Sequence, residues 1–570
     1  MDKIFIARLF DELEPCYPDK VVCEGNIDYC TSCANGSYAG VNILISGITP
    51  GIPLTIKVTG PHTGYKLFNM IPVPVEVNTG AKQRSEYLKD DYNEYVIRRA
   101  PFMVYDALEP INNIIMPTTT TCGINFKAII EYVRENHTQE WQFTITNGEN
   151  TINLNYQVDV YKVTIPKTTN QSFKYINWIN YNNIASYHNI QKWSSEYELM
   201  LEKYLRAVVY SRQNMLNLPL KEFFDVNNNN LVLNKERLKK IIAIARKCGI
   251  KWFHGTALCY RSEGLEDNDD FYNSLNHELL THTDEVAKAY KKGAFDAFDN
   301  GKYAKTVITS QLIPSEEGDN TLRQMTSQLY NFIEENNLAN YYMQCALDEP
   351  NDALADTYNH ITNIIKEEMP NISILEPVLP TYRTKSCIDV WCPSMDIYEQ
   401  NKTFYDEQVK KGDELFTYTC LTPGGNYINR LLDMERIRIV WIGWAPAKYT
   451  NIKGYLHWGA NQYVGGINPY KKQAVMFSEQ VLEFHPKRAN FLPAGDYCIF
   501  YPGFNEPLIS IRSEAHRIGF EDLCLLQQLE EIDNNKKNSI LSQVFRNCLD
   551  YEKSIDKYRE VKKELLQSLT

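Results

Sequence analysis

A strand followed by a helix recurs along the chain after Asn170, and this repeat constrains the fold more than any other feature of the sequence. Helical segments with apolar residues at i, i+3, i+4 and i+7 span residues 196–213, 235–249, 321–340, 354–370, 396–412 and 427–449. Short apolar segments typical of buried strands alternate with them, at residues 250–259, 341–350, 372–379, 387–394, 415–422 and 452–464. Roughly seven or eight such units over about 300 residues predict a (β/α)8 TIM barrel.

The chain from Val21 to Lys167 has a different pattern. Short segments with alternating or β-branched apolar residues are separated by turn residues, at 40–48, 53–60, 70–80, 126–133, 140–148 and 152–165. This pattern predicts an antiparallel β-sandwich. We therefore expect a multidomain chain, with a β-sandwich domain at 1–167, the catalytic barrel at 168–530 and a C-terminal helical extension at 531–570.

The last predicted helix has an apolar stripe formed by Ile555, Tyr558, Val561 and Leu565. This stripe is too short for a stable coiled-coil partner. We therefore expect the helix to pack on the barrel.

The charge and hydropathy of the chain exclude several classes of function. A net charge of −12 and interspersed basic residues argue against nucleic acid as a partner. No segment is apolar enough to span a membrane and the N-terminus has no apolar leader, so we expect a cytoplasmic protein without membrane insertion. The 38 Tyr and 8 Trp residues favour carbohydrate binding only slightly over ordinary packing.

The 14 cysteines are spread over the whole chain, as expected of thiols in a reducing compartment. Four of them, Cys16, Cys23, Cys30 and Cys33, cluster near the N-terminus. The spacing of Cys30 and Cys33 fits zinc, but no second Cys or His pair follows, so ordinary thiols are favoured and structural zinc is the alternative. The sequence has no Gly-rich phosphate loop in a strand–helix context, and we expect no cofactor.

Polar and aromatic residues are concentrated at the predicted carboxyl ends of the barrel strands, where such barrels hold their functional groups. These candidate residues are His254, Asp348, Glu349, Trp391, Tyr418, Trp458 and Asn461. A single Trp or His at such a position is more often part of the packing, but convergence of several on one face favours a site.

Asp348 and Glu349 are the most informative of these residues, because the two adjacent carboxylates end an apolar segment and Pro350 follows them. Glycosidases with two protein carboxylates place them across the sugar, about 5–5.5 Å apart for retention and about 6.5–9.5 Å apart for inversion. Adjacent residues, with Cα atoms about 3.8 Å apart, cannot easily straddle a sugar ring. At a strand tip the backbone can turn, so that both side chains reach one ligand from the same side. The spacing therefore favours a mechanism in which one acid protonates the leaving oxygen and its neighbour orients a nucleophile of the substrate, such as a 2-acetamido group.

Two stretches of the sequence resemble glycoside hydrolase family 123, the β-N-acetylgalactosaminidases: "ALDEP" at 346–350 and "YPGFNEPLISIRSEAHRIGFEDLCLL" at 501–526. The resemblance, to a clostridial-type member, implies a retaining, exo-acting enzyme that releases terminal β-linked N-acetylgalactosamine from glycans of the glycosphingolipid type. It also implies that Glu349 is the acid/base, and that Asp348 holds the acetamido N–H and steadies an oxazolinium intermediate.

The remaining site residues follow from what such a mechanism needs. A Tyr hydroxyl on the acetamido carbonyl and an aromatic platform under the sugar are expected, with Tyr418 and Trp458 as first candidates. Trp391 and Asn461 are second candidates, and His254 is a candidate ligand of a sugar hydroxyl.

Three questions stay open at this point. The "DE" pair also resembles the family 20 hexosaminidases, so a β-N-acetylglucosaminidase is an alternative, and the residues alone do not choose the C4 epimer. A non-catalytic carbohydrate-binding protein on a barrel scaffold is the alternative from another class. Arg512 is either a cation on a helix surface or part of a structural salt bridge, and neither the aglycone nor the oligomeric state can be inferred.

Overall fold

The computed structural model describes residues 5–62, 64–82, 84–86, 91–227, 230–262, 303–350, 352–378, 387–474 and 492–570. These residues form two β-sheets on the N-terminal side and a parallel eight-stranded sheet with helices after it. Within the same residues, no helix combines the length and the apolar character that a membrane crossing needs.

The described residues up to Thr164, called the N-terminal domain below, form ten strands: β1 (Ile6–Asp11), β2 (Asp28–Asn35), β3 (Tyr38–Ser46), β4 (Leu54–Thr59), β5 (Tyr65–Val75), β6 (Phe102–Ile111), β7 (Ile114–Ile115), β8 (Thr121–Ile129), β9 (His137–Asn147) and β10 (Asn150–Thr164). One sheet contains β1-β3-β8-β5-β6 and the other β2-β10-β9-β4-β7. Alternate residues of β9 are buried, including Trp141, Phe143 and Ile145, and they pack with Ile43 and Phe126 of the other sheet in one apolar core.

The prediction of an antiparallel, β-rich N-terminal region is confirmed. Each segment predicted as a strand overlaps one of β3, β4, β5, β8, β9 and β10, whereas β1, β2, β6 and β7 were not predicted. The pairing is antiparallel throughout these two sheets except between β2 and β10, which run parallel.

The predicted barrel is also confirmed in outline. Its eight parallel strands are β11 (Lys174–Asn177), β12 (Met215–Leu218), β15 (Trp252–Gly255), β19 (Tyr342–Gln344), β20 (Ser373–Val378), β21 (Val390–Pro393), β22 (Glu414–Tyr418) and β23 (Ile452–His457). They follow the order β11-β23-β22-β21-β20-β19-β15-β12. In the described residues between β12 and β19, further short strands lie outside this ring: β13 (Phe224–Asn227), β14 (Asn230–Leu233), β16 (Cys259–Ser262), β17 (Tyr303–Thr306) and β18 (Leu312–Ile313).

Side-chain amides close the ring between β11 and β12, where the two strands share no β-ladder. The Tyr175 N–H donates to Asn214 Oδ1 at 2.9 Å, and the Asn177 N–H donates to Gln213 Oε1 at 3.0 Å. Buried backbone donors must find acceptors, and these amides supply them in place of a neighbouring strand. The barrel is therefore nearly closed.

The described α-helices are α1 (Tyr181–Tyr187), α2 (Ser195–Tyr210), α3 (Lys235–Cys248), α4 (Glu316–Glu335), α5 (Ala355–Glu368), α6 (Met395–Gln400), α7 (Lys402–Lys410), α8 (Ile437–Lys448), α9 (Ile511–Val544) and α10 (Ile555–Ser568). The predictions for α2 to α5 are confirmed, and α3 ends as expected at Gly249, which has a φ of 113°. The segment 396–412 contains two helices, which meet at Asn401. The segment predicted as a helix from 427 becomes helical only at Ile437.

The C-terminal part of the chain belongs to both halves of the protein. After the barrel, β24 (Tyr501–Pro502) and β25 (Pro507–Ser510) form a hairpin, and β25 pairs with β6 of the N-terminal domain. Helix α9 then packs on α8 so closely that a Cβ on Gly443 would lie 2.2 Å from the carbonyl carbon of Gly519. Helix α9 continues past residue 530, where the barrel domain was predicted to end, and its helical backbone is interrupted at Asp533. Helix α10 packs on α9 and also on β2, so it contacts the sandwich as well.

A buried charge cluster joins the N-terminal domain to the start of α9. We use this name for Glu12, Lys127, Glu514, Arg517 and Glu521, all of them buried. Lys127 forms ion pairs with Glu12 and, at 2.9 Å, with Glu514, while Arg517 pairs with Glu514 at 2.9 Å and Glu521 at 2.8 Å.

Arg512, in the same turn of α9, is fully buried and pairs with Asp106 of β6 at 2.9 Å. Of the two interpretations left open by the sequence, the structural salt bridge is therefore correct.

Candidate active site

The backbone turns sharply where β19 ends, and this turn carries both candidate acids. Cys345, Ala346 and Leu347 are buried, and then Asp348 and Glu349 adopt φ values of 68° and 53°. Non-glycine residues rarely occupy this left-handed region, which costs about 1–2 kcal/mol per residue. Two such residues in succession break the alternation of a strand, so the two side chains need not point to opposite faces. Both are partly exposed, as residues of a site would be.

A buried carboxylate on the neighbouring strand holds this turn. Glu376 of β20 is completely buried and accepts backbone N–H groups of Ala346 at 2.9 Å, Leu347 at 3.3 Å and Asp348 at 2.6 Å. The Cys345 thiol and the Tyr358 hydroxyl donate to the same carboxylate at 3.2 and 3.0 Å. Burial raises the pKa of Glu376, and these hydrogen bonds oppose the rise.

In the part of the chain that the structure describes, Tyr418 and Arg261 contact the Glu349 side chain. The Tyr418 hydroxyl, at the carboxyl end of β22, donates to Glu349 Oε1 at 2.9 Å. Arg261 Nη2, on β16, lies 3.4 Å from Glu349 Oε2. Burial, together with the negative charge of Glu349, raises the pKa of the Tyr418 phenol well above its ordinary value, so this hydroxyl remains a donor.

His254 and Trp178 form a stacked pair inside the same end of the barrel. Their ring centroids are 5.9 Å apart with an interplanar angle of 27°. His254 is completely buried, and burial lowers its pKa to about 3, so the ring is neutral. Within the described residues, neither ring nitrogen of His254 nor the Trp178 indole nitrogen makes a hydrogen bond of normal geometry. Buried polar atoms without a partner of normal geometry are unusual in a protein interior.

Trp458 follows β23 and packs on the apolar cluster of the barrel interior that also contains Tyr418 and Trp178. Its indole N–H donates to Asp496 Oδ1 at 3.1 Å. Asp496 is completely buried, and burial raises its pKa to about 7. The hydrogen bond to this carboxyl group therefore fixes the orientation of the Trp458 indole.

Two of the predicted site residues do not join this group. Trp391 is buried against Phe404 and Tyr405 of α7, and its indole N–H donates to Asp413 at 2.9 Å. It lies on the outer face of β21, because its neighbours Val390 and Cys392 belong to the barrel interior. The ring of Trp391 therefore packs between β21 and α7, on the opposite face of the strand from the barrel interior.

Asn461 is also a structural residue. Its side chain is completely buried, accepts the Asn180 N–H at 2.8 Å and donates to the Asn180 carbonyl at 3.1 Å. Both ends of the amide are therefore occupied by the backbone of Asn180.

Sequence reasoning missed Glu376, Arg261 and Trp178. Glu376 is the lone acid in the apolar segment 372–379, and an unpaired charge in a buried strand is a signal that could have been used. Trp178 sits directly after the first barrel strand, which was not predicted. Arg261 lies on β16, outside the eight-stranded ring, and nothing in the sequence places it near Glu349.

The N-terminal cysteines lie apart from this site. Cys30 and Cys33 are both on β2, where Cys30 is exposed and Cys33 is buried, so the two thiols have different surroundings. Cys16 is buried beside Asn42, and burial raises its pKa to about 12. Among the described residues, no group of three or more His, Cys, Asp or Glu side chains is arranged to hold a metal ion.

The chain matches the model of a known family, and its fold is similar to that of a solved structure. The model of the glycoside hydrolase 123 catalytic domain matches residues 178–529, which is more than half of the chain. A family 123 glycoside hydrolase from Clostridium perfringens, studied for glycolipid glycan hydrolysis, has a TM-score of 0.66 at 13% identity, covering 99% of this chain and 97% of that chain. At this identity the likeness shows a shared fold.

Other solved structures are much less similar to this chain. A β-glucuronidase from Parabacteroides merdae has a TM-score of 0.30 at 9% identity, covering 83% of this chain and 49% of that chain. A GH10 xylanase from Thermobacillus composti has a TM-score of 0.31 at 12% identity, covering 62% of this chain and 97% of that chain. No curated protein matches the sequence significantly.

Proposed function

The chain belongs to glycoside hydrolase family 123, and from this premise we propose that it is a retaining, exo-acting β-N-acetylgalactosaminidase. It releases terminal β-linked N-acetylgalactosamine by substrate-assisted catalysis through an oxazolinium intermediate. The observation that carries the proposal is the turn at Asp348 and Glu349, two adjacent carboxylates on consecutive left-handed residues. Because the C. perfringens member is described by the hydrolysis of glycolipid glycans, we propose glycans of the glycosphingolipid type as substrates.

In the first step Glu349 acts as the acid. The acetamido carbonyl oxygen of the substrate attacks C1, the bond from C1 to the glycosidic oxygen breaks, and the Glu349 proton passes to that leaving oxygen. In the second step water attacks C1, Glu349 accepts a proton from this water, and the acetamido group is restored. Two inversions at C1 give net retention.

Asp348 acts on the nucleophile and not on the leaving group. By accepting the acetamido N–H, its carboxylate holds the carbonyl oxygen toward C1 and stabilises the positive charge of the oxazolinium. A well-oriented internal nucleophile has an effective concentration of roughly 10⁵–10⁸ M, about 7–11 kcal/mol of the barrier. This is the gain that makes a protein nucleophile unnecessary.

Two neighbouring carboxylates are poor candidates for a protein nucleophile, which supports the same proposal. Glu376 is completely buried, and its oxygens accept five donors. Asp496 is completely buried and accepts the Trp458 indole N–H. A carboxylate that attacks C1 must instead reach the sugar from the face opposite to the leaving group.

The sugar is held, in this proposal, by the aromatic side chains around the pair. Trp458 supplies the apolar platform, and the Tyr418 hydroxyl, which contacts Glu349, supplies a hydrogen bond to the acetamido carbonyl. His254 and Trp178 supply polar ring nitrogens for sugar hydroxyls.

A panel of aryl β-glycosides that differ only at C2 and C4 tests the proposal. We expect turnover of the β-N-acetylgalactosaminide and near loss of turnover when the 2-acetamido group is replaced by hydroxyl, even with an excellent leaving group. Comparable kcat/KM on the β-galactoside would refute substrate assistance. Preference for the β-N-acetylglucosaminide would retain the mechanism and reverse the C4 specificity.

Variants of the pair separate the two roles. Asp348→Asn should lose activity while keeping most of its affinity for the substrate, because the amide cannot stabilise the oxazolinium charge. Glu349→Gln should slow the hydrolysis of substrates with poor leaving groups far more than that of substrates with activated aryl leaving groups, because only poor leaving groups need protonation. Equal losses on both would remove Glu349 from the acid role, and a trapped covalent glycosyl-enzyme would exclude an internal nucleophile. Sugar binding without any turnover by the unmodified protein would favour the non-catalytic alternative.

A further inference from the structure

Glu376 is placed where it controls the geometry of the two proposed catalytic acids. We infer that Glu376 is the positioning residue of this site: its carboxylate holds the left-handed turn that presents Asp348 and Glu349 to one ligand. The inference rests on the proposed function of that pair.

The contacts of Glu376 converge on the turn from one side. Oε1 accepts the N–H of Asp348 at 2.6 Å, the N–H of Leu347 at 3.3 Å and the thiol of Cys345 at 3.2 Å. Oε2 accepts the N–H of Ala346 at 2.9 Å. Three consecutive backbone donors are thus satisfied by one side chain, and the third belongs to a proposed catalytic residue.

Pro377, the next residue of β20, also holds the turn in place. The Glu349 N–H donates to the Pro377 carbonyl oxygen at 2.9 Å. Glu376 and Pro377 therefore fix the backbone of both proposed acids. This matters because Asp348 and Glu349 are not glycines, and their left-handed conformations persist only where the surroundings enforce them.

The hydrogen bonds from the turn require a carboxylate at position 376 and not merely a polar side chain of the same shape. An ionised carboxylate is acceptor-only, with about four lone-pair sites on two oxygens. An amide would place an NH₂ group against either the donors on Oε1 or those on Oε2, and donors would then face donors. Glu376→Gln therefore displaces the turn without leaving a cavity.

The expected consequence is a loss of chemistry and not of substrate binding. A displacement of about 1 Å in a positioned group costs roughly 100-fold in rate. The sugar-binding rings lie on other strands, so KM should change little. Because Glu349 moves with the turn, proton transfer to the leaving group should suffer most.

The test compares wild type and Glu376→Gln on two glycosides of one sugar, one with an activated aryl leaving group and one with an alkyl leaving group. We expect kcat on the activated substrate to fall about 100-fold, with KM within threefold of wild type. We also expect the ratio of the two kcat/KM values to shift at least tenfold toward the activated substrate. This ratio does not depend on the folded fraction of the sample, so a purely structural role would not move it.

Asp389→Asn is the matched control. Asp389 also accepts a backbone N–H of β20, that of Ile374 at 2.7 Å, but it does so at the amino end of the strand. This variant should keep the wild-type ratio. Glu376→Asp retains the charge on a shorter side chain, and it should shift the ratio in the same direction by a smaller amount if Glu376→Gln does not fold.

An unchanged ratio in both Glu376 variants, with activity that follows the folded fraction, would overturn the inference. The sugar used is whichever one wild type hydrolyses best in the C2 and C4 panel. A failure of the proposed specificity would therefore appear in the wild-type panel, and a failure of the positioning role would appear only in the variants.

Discussion

Replacing Glu12 by Gln tests the buried charge cluster that joins the N-terminal domain to α9. Glu12 is buried and pairs with Lys127, with Arg559 Nη2 3.6 Å away. Burial alone would raise the pKa of this carboxyl, but Lys127, Arg559 and Arg517 together lower it from 4.5 to about 2. The glutamine variant keeps the shape of the side chain and removes the charge.

The magnitude follows from the displaced pKa. Each pKa unit corresponds to about 1.36 kcal/mol, so the ionised Glu12 stabilises the folded protein by roughly 3 kcal/mol at neutral pH. Because the pKa is lower in the folded state, this stabilisation is fully present well above pH 4.5 and is lost as the pH falls from about 4.5 toward 2. By pH 3 less than half should remain.

Thermal unfolding followed by circular dichroism measures the effect. If the 570 residues unfold as one unit, an unfolding entropy of about 2.1 cal/mol/K per residue converts 3 kcal/mol into a Tm decrease of about 2–3 °C. A smaller unfolding unit would give a larger decrease. We expect Glu12→Gln to lower Tm by at least this amount at pH 7, with the difference from wild type shrinking between pH 5 and pH 3.

Glu140→Gln is the control, because Glu140 is an exposed carboxylate on β9 of the same domain. It should change Tm by much less than Glu12→Gln at every pH. If the Tm difference for Glu12→Gln is the same at pH 7 and pH 3, the charge of Glu12 does not stabilise the cluster. If there is no difference at pH 7, the burial argument itself is refuted.

Three further predictions concern the barrel. Glu349 becomes a carboxylate as it gives its proton to the leaving oxygen, and Tyr418→Phe removes the hydroxyl that donates to this carboxylate. A hydrogen bond to a charged group is worth about 1.5–3 kcal/mol, so kcat/KM should fall roughly 10- to 150-fold in steady-state assays, and a loss below threefold would contradict the role of this hydroxyl. Burial raises the pKa of Asp496 from 3.8 to about 7, so ionisation of this carboxyl destabilises the folded protein as the pH rises. The Tm of Asp496→Asn, measured relative to that of wild type, should therefore be higher at pH 8 than at pH 4. Gly443→Ala forces a methyl group into the backbone of Gly519 and should cost about 1–3 kcal/mol, measured as a lower Tm; an unchanged Tm would show that α8 and α9 can move apart freely.

Periodicity predicted the regular elements well, because each element buries one face. Helices α2 to α5 and the strands β15 and β19 to β23 coincide with segments whose apolar residues repeat at helical or strand spacing. The segment from 427 to 436 shows where this reasoning stops. It contains Asn429, Arg430 and Asp433, all fully buried and held by tertiary hydrogen bonds, such as that of Asp433 Oδ1 with the Thr79 hydroxyl at 2.7 Å. Partners so distant in sequence leave no local signal.

In the candidate site, too, local patterns could be predicted from the sequence, whereas contacts between distant residues could not. Asp348, Glu349 and Tyr418 could be grouped from the sequence because Tyr418 ends one strand of the parallel sheet, the two acids follow another within a few residues, and the carboxyl ends of such strands meet. Trp391 lies between Val390 and Cys392, whose side chains face the barrel interior, so the alternation of β21 puts its ring on the outer face. The left-handed turn and its support by Glu376 depend on a contact between two strands, which sequence spacing does not encode.

The pairing of β25 with β6 sets an order of events during protein synthesis. Strand β6 ends at Ile111 and β25 begins at Pro507, so a ribosome adds roughly 400 residues between them. At about 5–20 residues per second this takes roughly 20–80 s. Throughout that interval the edge of β6 and the carboxylate of Asp106 lack the partners that Ser510 and Arg512 later provide, and open strand edges are templates for association with other chains. The nascent N-terminal domain is therefore an unfinished unit, and its completion has to wait for the end of the barrel.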